Sequence, residues 1–151
     1  MKILVISDSH GDDGSIEQAY TRERPDEIIF LGDGLRDVEM FGYTYPGAKI
    51  SSVRGNCDFF SRSADEFTLS FGDLTVFVCH GHAYGVKNGV SLLAYNAKKK
   101  GASLALFGHT HEPYLGECDG VTLFNPGSIR NERYGIINVN ADSFECVLRC
   151  L

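Results

Sequence analysis

Short apolar runs separated by polar, glycine-bearing loops recur along this chain. Residues 2–7, apolar from Ile3 to Ile6, form a short run of strand length and read as a buried strand. Residues 13–24 are polar, with Ile16, Ala19 and Tyr20 at helix-compatible spacing, and Pro25 ends the helix they predict. Residues 27–31 give a second strand, 35–41 a short helix and 49–54 a third strand. Residues 67–71 and 74–79 form a hairpin across Gly72-Asp73. Val86, Val90, Leu93 and Ala97 make the stripe of an amphipathic helix over 86–100, closed by Gly101. Residues 103–107 are again a strand. The runs 114–118, 121–124, 134–139 and 144–149, broken at Asp119-Gly120 and Asn140-Ala141-Asp142, read as successive hairpins of a β-meander.

Strand and helix alternate over the first two-thirds, and strands alone fill the last third. That pattern predicts an α/β domain of mixed sheets with helices on the outer faces. With 151 residues, 43% of them hydrophobic, and no linker or internal repeat, the expectation is one domain over 1–151. The apolar stretch at the N-terminus is too short for a signal segment, so the reading is a soluble, cytoplasmic protein with no membrane partner. Five cysteines, odd in number and without a C-x-x-C pair, fit reduced thiols better than a disulfide framework. A net charge of -6 with Lys98-Lys99-Lys100 as the only basic run argues against long nucleic acid as a partner. That run complements a helix dipole instead.

Five loop motifs carry the chemistry, each following an apolar run: Asp8-Ser9-His10, Gly32-Asp33-Gly34, Gly55-Asn56-Cys57-Asp58, His80-Gly81-His82 and Gly108-His109-Thr110-His111. Asp, Asn and His bind divalent metals through oxygen and imidazole nitrogen. The seven residues Asp8, His10, Asp33, Asn56, His80, His109 and His111 exceed the needs of one ion but fit two that share a bridge. Asp33, flanked by glycines, reads as a carboxylate that two ions can approach. Placed within about two residues of strand ends, such loops gather at the edge where open α/β sheets bind ligands. Two divalent ions, two carboxylates and a hydroxide leave about one net positive charge, suited to an anionic phosphate ester.

This ordered set resembles the calcineurin-like metallophosphoesterase superfamily, and its Gly55-Asn56-Cys57-Asp58 variant is most similar to the small prokaryotic, YfcE-like phosphodiesterases. The resemblance covers residues 3 to about 139 and extends to Asn125-Pro126-Gly127-Ser128. It implies an α/β/β/α sandwich of two packed mixed sheets flanked by helices. It also implies a dinuclear phosphodiesterase acting on a small phosphate ester through an activated hydroxide. Asp8, His10, Asp33 and His111 would hold one metal, and Asp33, Asn56, His80 and His109 the other. Mixed O and N ligation suits transition metals, Mn first and Zn, Fe, Ni or Co after it.

Cys57 and His82 complete the predicted site as catalytic residues. Cys57 stands where many members of the family carry a histidine that assists the leaving group, and a thiol is the weaker donor. His82 reads equally as a substrate-pocket residue and as the partner of a ligand. Asn125-Pro126-Gly127-Ser128 reads as a turn propping the His109–His111 loop, and Cys79 as core. Arg36, Arg62 and Arg130 follow motif loops and read first as solvated charges. The rival class is a protein-interaction scaffold, because a retromer subunit of the same fold has an altered metal site. The complete set of seven donors favours the enzyme.

Overall fold

In the computed structural model, which describes residues 1–141 and 143–151, the early apolar runs become three parallel strands. These are β1 (Lys2–Ile6), β2 (Glu27–Phe30) and β3 (Ile50–Ser52), connected through α1 (Asp13–Glu23) and α2 (Leu35–Thr44). Parallel pairing requires such crossovers, because a two-residue turn cannot return the chain to the same end. Asp12 caps α1 by accepting from the Ser15 amide at 3.1 Å.

The second half repeats the plan. β4 (Glu66–Phe71) and β5 (Leu74–Cys79) form the expected hairpin, and α3 (Ser91–Lys99) leads to β6 (Leu104–Leu106). β7 (Pro113–Cys118) and β8 (Val121–Pro126) follow, then β9 (Arg133–Val139) and β10 (Phe144–Cys150). One sheet has the order β10-β9-β1-β2-β3 and the other β4-β5-β6-β8-β7. Each holds three adjacent parallel strands, with antiparallel strands outside them.

This topology corrects the meander. The β7–β8 and β9–β10 hairpins exist, but they belong to different sheets, with β8 parallel to β6 and β9 antiparallel to β1. Local alternation identifies a hairpin without saying which sheet it joins. In the turn at Asn140-Ala141-Asp142, Asp142 lies outside the described residues, and the Asn140 amide donates to the Ser143 carbonyl at 2.8 Å. The helix expected from Val86 also starts later. Residues 86–88 form a separate 3-10 turn, and Gly89 at φ 141° interrupts the helical path. Val86 is nevertheless buried with Leu93, Ala94 and Ala97.

Alternate residues of the central strands face opposite ways, so both sheet faces are covered. Ile3, Val5, Ile29, Val76, Val78, Leu104 and Leu106 fill the space between the sheets. Leu4, Ile6, Ile28 and Phe30 pack outward on Ile16, Ala19, Val38 and Phe41 of α1 and α2. Phe77, Cys79, Ala105 and Leu123 pack outward on α3, which makes Cys79 core as expected. The result is the α/β/β/α sandwich of two mixed sheets. Among the described residues no helix is long and apolar enough to cross a membrane.

Candidate metal centre

All six parallel strands point their C-terminal ends to one edge, and each delivers one motif loop there. β1 leads to Asp8 and His10, β2 to Asp33 and β3 to Asn56; β5 leads to His80, β6 to His109 and His111, and β8 ends in Asn125-Pro126. The strands stop somewhat earlier than the apolar runs suggest, so the donors begin one to four residues beyond them, from His80 after Cys79 to Asn56 after Ser52.

These loops are strained in a consistent way. Asp8, His10, Asp33, His109 and His111 have φ of 55°, 44°, 60°, 68° and 62°, the left-handed region that side chains with a Cβ avoid. Each such residue costs about 1–2 kcal/mol, and strain of this kind persists where surrounding contacts over-determine it and function uses it. Those contacts are present. The Asp58 carboxylate accepts four backbone N–H bonds, from Asp33 (2.8 Å), Gly34 (3.0 Å), Leu35 (3.1 Å) and Gly55 (2.8 Å). It thus ties the β2 loop to the β3 loop and caps α2 from outside. Asp37 of α2 accepts from Ser9 Oγ (2.5 Å) and the Gly11 amide (2.8 Å), which fixes the β1 loop.

The Asn125–Ser128 turn props the metal loops as expected. Asn125 Nδ2 donates to the Gly108 carbonyl and to Thr110 Oγ1, both at 3.0 Å, and Ser128 Oγ donates to the Asp8 carbonyl at 2.7 Å. The reading of the glycines beside Asp33 needs correction. A Cβ on Gly32 would meet the Gly55 amide nitrogen at 2.5 Å, and one on Gly34 would meet Ser9 Oγ at 1.9 Å, so both make room for the neighbouring loops rather than for ions. The glycine that clears space at the donors is Gly55, where a Cβ would lie 2.0 Å from Asp33 Oδ1.

Six of the seven predicted donors converge tightly. Asp8, His10 and His111 bring ligand atoms within 4.8 Å of one another, and so do Asp8, Asp33 and His80. Asn56 Oδ1 lies 3.1 Å from His80 Nε2, which is 3.4 Å from Asp33 Oδ2. His109 contributes its amide to Asp8 Oδ2 at 3.1 Å, and its ring packs edge-on to His80 at 5.2 Å between centroids. His82 stands beside both, 5.4 Å from His80 and 6.1 Å from His109, on the exposed side. Cys57, which is not among the seven donors expected from the sequence, brings its sulfur into a third close group with His10 and Asp33, also within 4.8 Å.

Two features fit this donor set to cations. Asp8 Oδ1 is buried without a hydrogen-bond partner, although His111 Nε2 is 3.2 Å away. His10 Nε2 and His111 Nε2 also face each other at 3.3 Å, so two imidazole nitrogens and an orphaned carboxylate oxygen share one space. An ion there would satisfy all three. His80 is already oriented for such a role. Its Nδ1 lies 2.7 Å from the Leu31 carbonyl and, as the donor of that bond, leaves Nε2 facing Asn56 and Asp33.

Charge polarises the cluster. Burial pushes the Asp33 carboxyl up, but hydrogen bonds from His80 and from the Cys57 amide (2.7 Å), with the His80 charge, leave it well below the usual carboxylate range. Burial would lower His80, but the Asp33 bond and the Asp8 and Asp33 charges raise it. His82 and His109 are lowered, first by burial and then by the His80 charge. The Cys57 thiol is raised by burial and by Asp33. Of the three arginines after motif loops, Arg36 lines an open depression of about 410 Å³ with His10, Asp33, Cys57 and Asp58. Arg62 and Arg130 are exposed, as read from the sequence.

A family model described as the calcineurin-like phosphoesterase superfamily domain matches residues 1–141. The chain is 31% identical over 150 residues to the probable metallophosphoesterase YsnB of Bacillus subtilis, covering 95% of this chain and 87% of that protein. It is 28% identical over 156 residues to the phosphodiesterase YfcE of Escherichia coli K12, covering 85% and 79%. A solved structure from Streptococcus pneumoniae TIGR4, described as a predicted phosphoesterase, aligns with a TM-score of 0.83 at 26% identity over 99% of this chain and 88% of that one. Vps29 of Entamoeba histolytica complexed with Zn2+ aligns with a TM-score of 0.75 over 99% of each chain, a likeness of fold at 17% identity.

Proposed function

The chain belongs to the calcineurin-like phosphoesterase superfamily, and on that premise we propose that it is a dinuclear metal-dependent phosphodiesterase whose two ions share Asp33. Asp8, His10, Asp33 and His111 hold one ion, and Asp33, Asn56, His80 and His109 the other. The observation that carries this reading is the position of Asp33, one of whose oxygens lies 3.4 Å from His80 Nε2 and 4.0 Å from His10 Nε2, between the two donor groups. When bound, divalent ions lower the pKa of water from 15.7 toward about 7 and polarise phosphoryl oxygens. A centre of about one net positive charge matches a monoanionic diester better than a dianionic monoester. Manganese is the first choice of metal for this O and N donor set, with Zn, Fe, Ni or Co as the others.

The chain's own groups complete the site. Asp33 holds its charge down to low pH, and the Leu31 carbonyl keeps the His80 ring aimed at the donors. Cys57 offers a thiol, a weaker hydrogen-bond donor to a leaving oxygen than an imidazolium. Exposed His82, beside His80 and His109, is a candidate to give that oxygen its proton. Five free cysteines support a reducing compartment such as the cytoplasm. The scaffold reading rests on likeness of fold, and a full donor set on strained, braced loops argues against it.

The test is turnover by chelator-stripped protein reloaded with Mn or Zn. The expected outcome is metal-restored hydrolysis with higher kcat/KM for bis(p-nitrophenyl) phosphate than for p-nitrophenyl phosphate, and a steep fall as leaving-group pKa rises. No metal-dependent turnover of any ester would overturn the enzyme, and a preference for monoesters would overturn the diester assignment.

A further inference from the structure

A surface hollow of about 500 Å³ contains none of the seven donors. It lies where the end of α1 and the first residue of β7, Pro113, meet the paired ends of β9 and β10, and Arg22, Arg133 and Arg149 line it. Arg133 is opposite Cys150 in the ladder and Arg149 opposite Tyr134, so the two arginines leave opposite faces where β9 begins and β10 ends, and both line the hollow at that edge. Arg22 reaches over the rim from α1, with Nη1 donating to the Cys150 carbonyl at 2.9 Å.

Among the described residues none of these three guanidiniums forms an ion pair; the ion pairs of lysine and arginine are Lys2–Glu23, Arg54–Asp65 and Lys100–Glu66. Glu23, the one acid in the lining, is already engaged by Lys2 Nζ at 3.3 Å and by the Tyr134 hydroxyl at 2.9 Å. The hollow is therefore a concentration of positive charge on a chain of net charge -6. Three like charges lining one hollow repel one another, a cost that a bound anion would relieve. Their planar forks suit bidentate contact with phosphate, sulfate or carboxylate oxygens. A hollow of this volume falls in the range of small-ligand sites.

We infer that this groove binds a small polyanion bearing two or more phosphate-like groups, at a site separate from the metal centre. The inference does not depend on the phosphodiesterase reading. The probe is naphthalene-1,3,6-trisulfonate, a trianion that has no phosphoester bond to hydrolyse and ligates divalent metals poorly. It is titrated into the zinc-loaded, 15N-labelled full chain at constant ionic strength, with amide shifts read residue by residue. The expected result is saturable shifts at residues 22–23, 133–134 and 149–150, with affinity falling about tenfold or more in Arg133→Gln/Arg149→Gln. Arg149→Gln alone, a fully surface change, should give an intermediate loss if the double variant folds poorly. Non-saturating shifts, shifts confined to residues 8–10 and 109–111, or unchanged affinity in both variants would overturn the site. Concentration-dependent shifts at the groove without probe, lost in the variants, would overturn it in favour of contact with a second copy of the chain.

Discussion

The two sheets contribute different chemistry to the same edge. The β1-β2-β3 half supplies the oxygen donors Asp8, Asp33 and Asn56, together with His10. The β5-β6-β8 half supplies the imidazoles of His80, His109 and His111, and the Asn125–Ser128 turn. Neither half holds a complete donor set for either of the two proposed ions. Each half also fixes the other's donors: the His109 amide holds Asp8 Oδ2, Ser128 holds the Asp8 carbonyl, and the Leu31 carbonyl holds His80. The site is thus a property of the packing between sheets, and the apolar layer from Ile3 to Ile137 sets the register of the chemistry. Separate sheets carrying the same loops would bind metals far more weakly.

The sharpest way to break this division is to remove the residue that faces both sides. Asp33→Ala takes away the shared carboxylate and part of the charge that balances the cations. The loss of several kcal/mol of metal-derived stabilisation predicts a fall in kcat/KM of about 10³-fold or more. His82→Ala removes an exposed imidazole next to the donors, and about tenfold is expected, at or below the low end for a proton-transfer group. Steady-state kinetics at saturating manganese measures both. Equal losses would mean that His82 belongs to the centre and that Asp33 is not its hub.

Much of this was legible before the fold was known. The donors stand out because Asp, Asn and His punctuate apolar strands, and alternation within those strands is a local signal. Two kinds of information were not local. Hairpin patterns at 114–126 and 133–150 are alike, so nothing in them tells that one pair extends the imidazole-bearing sheet and the other the carboxylate-bearing sheet. The i, i+4 stripe likewise ran through Val86, because a glycine at φ 141° is invisible in the periodicity of its neighbours. At the site, the bracing role of Asp58 is not legible in its motif, since its four amide partners lie in two different loops. The only trace of that role in the sequence is a carboxylate three residues after Gly55.

Asp58 therefore sharpens the comparison within the oxygen-bearing half. Asp58→Asn keeps the size of the side chain but replaces one acceptor oxygen with an NH2 that faces amide donors. Bonds from backbone N–H to a charged acceptor contribute about 1.5–3 kcal/mol, and the variant should lose stability of that order in denaturant unfolding. Groups that brace a metal ligand typically affect metal affinity or activity by about 10–100-fold. Calorimetric titration with manganese should show a loss in that range. Unchanged metal affinity in a destabilised variant would confine Asp58 to the fold.

The smallest effect concerns the imidazole half without metal, where its three central rings should titrate differently. His80 is raised above 6.5, because the Asp33 hydrogen bond and the two carboxylate charges outweigh its burial. Its pairing with Asp33 therefore adds stability that is full below about pH 6.5 and is lost as pH rises through the raised value. His82 and His109 are lowered, so their contribution has the opposite sign: present above about pH 6.5 and lost as pH falls through their depressed values. Imidazole C–H resonances of the chelator-treated protein should show His80 losing its proton last. In His80→Gln the positive charge that helps depress the other two is gone, so both should move back up toward the ordinary range. If His82 and His109 kept their low values in that variant, burial alone would set them. The three rings would then titrate as neighbours that share a surface, with no electrostatic coupling to the Asp33 side of the centre.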